Sequence, residues 1–196
     1  FKSEEHTRRL LKSGEIIHMP IPYTLEKIEA AKQEVLSANN LTNCYIRVIA
    51  WRGSENLGID VGSTSVRLGV AAWEWSSYFD PEIKKKGIAI CSTKWRKPSA
   101  DCAPIHSKAG SLYNLACIVK YEAKSRGFQD ALMLDFEGYV AEATGANLFA
   151  IKDGVIFTPK ADRFLNGITR QTVIQLTKDL GMQVIERRIK PEQLQD

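Results

Sequence analysis

Asp130-Ala131-Leu132-Met133-Leu134-Asp135-Phe136-Glu137-Gly138-Tyr139-Val140-Ala141-Glu142 and the run that follows it, ATGANLFAIKDGVIFTP (residues 143–159), set the fold class. Short apolar runs at 130–135, 139–142, 147–151 and 155–158 have strand length. Glu137-Gly138 and Asp153-Gly154 interrupt them and read as tight hairpin turns. Downstream, Ile168–Leu180 carries helical spacing stopped by Gly181, and Gln183–Ile189 reads as a strand. Upstream, Lys108–Arg126 reads as a helix ended by Gly127, with Leu112, Leu115, Ala116, Val119 and Ala123 on one face. Gly87–Thr93 reads as a strand before it. The first part of the chain predicts helices over 3–13 and 24–39, the second capped by Thr24 with Ile28, Ala31, Val35 and Ala38 on one face. Strands follow at Cys44–Trp51 and Val66–Trp73. Strands and helices alternate without a regular β-α-β rhythm. The fold class is therefore α/β (α+β), with mixed, largely antiparallel sheets and flanking helices. An aromatic stretch, Trp73, Trp75, Tyr78 and Phe79, closes at Asp80-Pro81. It divides a small domain (1–79), a linker (80–84) and a larger domain (85–196).

Composition narrows the function classes. The chain has 196 residues, 44% hydrophobic and 26% charged, with a net charge of +4. Lys and Arg are interspersed with Asp and Glu, which gives a solvated surface and no nucleic-acid footprint. No apolar run reaches membrane-spanning length, and no signal peptide is visible. Cys44, Cys91, Cys102 and Cys117 form no C-x-x-C pair, and His6, His18 and His106 are dispersed, so no metal site is expected. Reduced thiols fit a cytoplasmic protein. The chain opens in a helical pattern at Phe1 and stops at Asp196 as another helix begins, so a fragment is expected.

Several features can carry chemistry, and each also has an ordinary reading. Leu165-Asn166-Gly167-Ile168-Thr169-Arg170 puts a glycine before a helix, whose first N–H groups can hold an anion. It can equally be a loop capped by Thr169. Lys108 stands at a helix start, where the dipole disfavours a cation and suits a lysine that must act as a neutral amine. It can equally be a surface lysine. Glu142, before Ala143-Thr144-Gly145, can face a pocket or simply flank a turn. Tyr45 and Arg47 share a strand face and, with Trp75 and Tyr78, can form an apolar slot bearing one cation. They can equally be a rim of strand residues with a snorkelling arginine.

Taken in order, these pieces resemble the fold-type-IV pyridoxal-phosphate (PLP) enzymes, and among them the bacterial-type branched-chain-amino-acid aminotransferases. The residues carrying the resemblance are 130–159, LNGITRQTVIQLTKDLGMQVIERRIKPEQL (165–194), and the spacing of Lys108, Glu142 and Gly167-Ile168-Thr169-Arg170. The resemblance implies a two-domain fold and these roles. Lys108 forms the Schiff base with PLP. Tyr113 lies near the phenolic oxygen, and Glu142 pairs with the pyridine nitrogen. Gly167, Ile168, Thr169 and Arg9 hold the phosphate, and Leu165 packs on the ring. Tyr45, Arg47, Trp75, Tyr78 and Gly145 contact substrate, Arg47 serving the side-chain carboxylate of glutamate. Val48 departs from the proline common at its position.

The implied activity is transamination between L-leucine, isoleucine or valine and 2-oxoglutarate. D-amino-acid aminotransferase, aminodeoxychorismate lyase, or a PLP-binding homologue without turnover stay open as alternatives. The resemblance also implies amino acids and 2-oxo acids as small-molecule partners, and a homodimer or higher homo-oligomer.

Overall fold

The computed structural model describes residues 1–56, 58–75 and 81–194. The chain divides into two compact units, Phe1–Asp80 and Pro81–Asp196.

In the first unit, α1 (Ser3–Ile16) packs on α2 (Leu25–Ala38), and α2 packs on the hairpin of β1 (Tyr45–Arg52) and β2 (Val66–Trp73). Thr24 caps α2, its hydroxyl accepting from Lys27 N at 3.3 Å. The hairpin is antiparallel and in register, with Tyr45 opposite Trp73 and Arg52 opposite Val66. The buried face of α2 differs from the apolar stripe expected. Ile28 is buried, but Ala38 is exposed and Lys32 is buried. Lys32 Nζ donates to Thr7 Oγ1 (2.5 Å) and Glu29 Oε1 (2.6 Å), and to Ser3 O and Oγ at 3.3 and 3.2 Å. A buried ammonium survives only with such partners. Here they bolt α1 to α2.

In the second unit, α3 (Pro81–Lys86) leads to β3 (Ile90–Arg96). The polar sequence of α3 does not predict a helix, although Pro81 suits a first helical turn. β3 begins and ends three residues after the expected Gly87–Thr93. β3 runs parallel to β4 (Asp130–Leu134), which pairs antiparallel with β5 (Val140–Ala143). A second sheet joins β6 (Ala150–Lys152), β7 (Val155–Pro159) and β8 (Val184–Arg187), with β6–β7 antiparallel and β7–β8 parallel. Asp153 and Gly154 both have positive φ (52° and 75°), the conformation that makes Asp-Gly a two-residue hairpin. α4 (Tyr113–Ser125) covers the first sheet. Val119 and Ala123 pack with Cys91, Ala131 and Met133, closed by Leu115 and Phe128. α5 (Ile168–Asp179) contacts β8. Among the described residues, no helix is long and apolar enough to cross a membrane.

Candidate active site

Lys108 lies in the segment between β3 and α4. A 3-10 turn at Gly110–Leu112 intervenes, and α4 begins at Tyr113. The expected placement of Lys108 in a first helical turn is therefore corrected, and the dipole argument built on it lapses. What fixes the lysine is its own segment. Ile105, Ser107 and Ala109 are buried, and Ser107 N and Oγ both donate to Pro104 O, at 2.9 and 2.8 Å. The Lys108 side chain is exposed between these anchors. Its Nζ donates to Tyr113 Oη at 2.6 Å and sits 5.0 Å from the ring centroid.

Glu142, on β5, has a side chain only 13% exposed. Lys97 Nζ reaches Oε1 at 2.5 Å, and Asn147 Nδ2 donates to Oε2 at 3.0 Å. Burial pushes the Glu142 carboxyl above the ordinary range. The charge and hydrogen bond of Lys97, and the charge of Lys108, pull it back only in part. The two lysines therefore have different surroundings, an ion pair for Lys97 and a phenol for Lys108.

Asn147 also reaches the next segment. Its Nδ2 lies 3.5 Å from Leu165 O, and a Cβ added at Gly167 would collide with its Oδ1. A side-chain amide fills the space beside this glycine, so a larger residue there would displace it. Gly167 is the N-cap of α5, with extended backbone and no side-chain cap. Thr169 is exposed within the helix and does not cap it, and Ile168 is buried. Arg170 is buried and its guanidinium is held by Asn166 Oδ1, Pro159 O and Glu186 Oε2 at 2.9, 2.8 and 2.7 Å. Its charge is thus engaged within the unit, and it anchors the start of α5. An uncapped helix N-terminus of this kind favours an anion.

The turn after β5 is pinned by Asp130. This buried carboxylate accepts from Lys120 Nζ (2.7 Å), Thr144 Oγ1 (2.6 Å) and Ala131 N (2.8 Å). Gly145 is exposed at the tip of that turn. The second unit therefore links Glu142 to Leu165 and Gly167 through Asn147, and pairs Lys108 with Tyr113.

In the first unit, Tyr45 lies against Trp73 and Trp75, with ring centroids 5.0 and 5.2 Å apart. The Arg47 guanidinium stands 5.7 Å from the Tyr45 ring and 5.6 Å from Trp73. Arg9 is half-buried on α1, its carbonyl accepting from Ser13 Oγ at 2.7 Å. Tyr78 lies outside the described residues.

The family model for amino-transferase class IV matches residues 1–196. The chain belongs to the class IV aminotransferase family. A relative in that family, the "Probable branched-chain-amino-acid aminotransferase" of Rickettsia conorii, is 45% identical over all of this chain and 66% of its own length. The chain thus spans just under two-thirds of that relative. A solved branched-chain amino acid aminotransferase of T.th., with pyridoxamine 5'-phosphate, superposes with a TM-score of 0.94 at 39% identity. The match covers 99% of this chain and 64% of that one. The T.th. enzyme complexed with N-(5'-phosphopyridoxyl)-L-glutamate gives 0.90 at 37% identity, covering 99% and 63%. The sequence alone does not single out Lys97, Asn147 or Asp130. Lys97 sits in an unpatterned Arg-Lys-Pro stretch. Asn147 could be found by closing the Glu142–Asn147 turn, which forms an isolated antiparallel bridge.

Proposed function

We propose that this chain is the greater part of a PLP-dependent transaminase. It would exchange amino groups between L-leucine, isoleucine or valine and 2-oxoglutarate, with the cofactor carried covalently on Lys108. One observation carries the reading: a lysine amine on a tyrosine phenol shares one compact unit with a buried carboxylate and an uncapped helix start. That donor set fits PLP group by group. The Lys108 amine suits the aldehyde, Tyr113 the phenolic oxygen, Glu142 the ring nitrogen, and the N–H groups of Ile168 and Thr169 the phosphate. Arg9 is proposed as a further phosphate ligand, and Leu165 as the residue packed on the ring.

When bound, PLP supplies the electron sink for negative charge at the substrate Cα. The chain's own groups do the rest. Glu142, ion-paired with Lys97, would face the ring nitrogen and hold a proton there. Lys108, on the Tyr113 phenol, would hold the cofactor and would supply the amine that moves the Cα proton as a general base. Lys97 is engaged by Glu142, at 2.5 Å. Tyr45, Arg47 and Trp75 form the substrate-side group, with Gly145 at the turn after Glu142. The branched-chain substrates rest on the names of the relatives at 37–45% identity, and glutamate on the phosphopyridoxyl-glutamate complex of the T.th. enzyme.

The test uses the full chain with PLP. L-leucine and 2-oxoglutarate should yield L-glutamate, while D-alanine and aminodeoxychorismate should not turn over. Borohydride should fix the cofactor mass onto the wild type and not onto Lys108→Ala. Turnover of D-alanine without L-leucine would overturn the substrate, and cofactor fixed to Lys108→Ala would overturn the lysine.

A further inference from the structure

We infer that Asn147 is a positioning residue that couples the ring-nitrogen acid, Glu142, to the anion-binding turn at Gly167, so that neither can shift without the other. The inference rests on the proposed PLP site and adds a residue and a connection to it.

Asn147 faces three groups on two segments of the second unit. Its amide N–H2 donates to Glu142 Oε2 at 3.0 Å. The same nitrogen approaches Leu165 O at 3.5 Å. Its Oδ1 lies against Gly167 Cα, where a Cβ would collide with it and would stand 3.4 Å from Asn147 Cγ. A planar amide in this place has little freedom. A Cβ at 167 would force the Asn147 amide to shift. Lys97 holds the other oxygen of Glu142. The carboxylate is thereby gripped from both sides, one grip coming from β5's own turn and one from the segment after β3. Of these, only the Asn147 grip also touches the start of α5.

The cofactor has a fixed distance between its ring nitrogen and its phosphate. A site that binds both ends must hold its acid and its anion cradle at a matching separation. Asn147 touches both segments, so it sets that separation within the unit.

The experiment uses the full chain and the variants Asn147→Ala, Asn147→Asp, Gly167→Ala and Asn147→Ala/Gly167→Ala. Cofactor-free proteins are unfolded in urea. Gly167→Ala should destabilise the wild type, and most of that loss should vanish in the Asn147→Ala background, since the colliding oxygen is gone. PLP and pyridoxal, which lacks the phosphate, are then titrated by absorbance. Wild type should prefer PLP. Asn147→Ala should weaken PLP about tenfold, the effect of losing one hydrogen bond to a charged group. It should also narrow the preference for PLP over pyridoxal and move the pH midpoint of the bound cofactor's absorbance. Asn147→Asp keeps the shape and sets a second carboxylate beside Glu142, so it should move that midpoint further. It serves the same test if Asn147→Ala does not fold. Wild type that binds neither compound overturns the PLP reading itself. Wild type that binds PLP, with variants of unchanged pH midpoint and unchanged phosphate preference, overturns the coupling alone.

Discussion

At Glu142, burial competes with charge. Removal from water raises its carboxyl from the ordinary 4.5, and Lys97 and Lys108 only partly reverse this. The folded chain therefore holds this proton more tightly than the unfolded chain. By linkage, the stability contributed below pH 4.5 is lost as pH rises through the raised folded value. Glu142→Gln removes the titration, so above pH 4.5 the urea midpoint of the cofactor-free wild type should fall relative to that of the variant. Parallel midpoints across this window would contradict the assignment. Lys97 tests the same pair from the other side. Lys97→Met leaves a largely buried carboxylate without its cation and should cost about 1–3 kcal/mol, while Lys97→Arg should retain most of the stability. Urea unfolding of the two variants measures the difference.

At the scale of elements, Asp130 joins three pieces of the second unit: β4, which it begins, α4 through Lys120, and the turn after β5 through Thr144. Burial pushes its carboxyl up, but Lys120, Thr144 and Ala131 N outweigh this, and the net position lies below 3.8. Its contribution is thus present above pH 3.8 and lost as pH falls below it. Asp130→Ala should destabilise by about 1–3 kcal/mol at neutral pH, with a gap to wild type that narrows on acidification below 3.8. A gap that widened there would refute the sign.

Elements of this kind are legible in the sequence because their signals are local. The Asp153-Gly154 hairpin and the α5 stop at Gly181 need only neighbouring residues, and both occur as read. The polar pins are not legible. Asp130–Lys120, Glu142–Lys97 and Lys32–Thr7 join residues on different elements, and which side chains meet depends on packing that no local period encodes. Lys32 shows this most directly, since its charge places it outside any apolar stripe, yet it is buried beside Ile28 on the same helix. Lys108 shows the converse: the apolar spacing of its helix is correct, but the 3-10 turn moves the helix start to Tyr113.

The proposed exchange requires the molecule to accept two kinds of side chain, and the first unit offers both characters on one strand face. Tyr45, Trp73 and Trp75 form an aromatic plate, which an aliphatic side chain can cover without stranding a polar group. Arg47 lies at that plate with an exposed guanidinium that stays solvated when an aliphatic substrate is bound, so leucine incurs no buried unpaired charge. In the proposed exchange, glutamate would gain a charge-assisted hydrogen bond from the same group. Arg47→Ala should therefore raise the KM for L-glutamate about 10- to 100-fold, the equivalent of about 1.5–3 kcal/mol, and change that for L-leucine far less. Arg47→Lys should fall between, because it keeps the charge without the planar fork. Steady-state kinetics on the full chain with each amino donor decides the matter. Equal losses for glutamate and leucine would assign Arg47 to the shape of the aromatic plate and leave the second carboxylate to be held by another group.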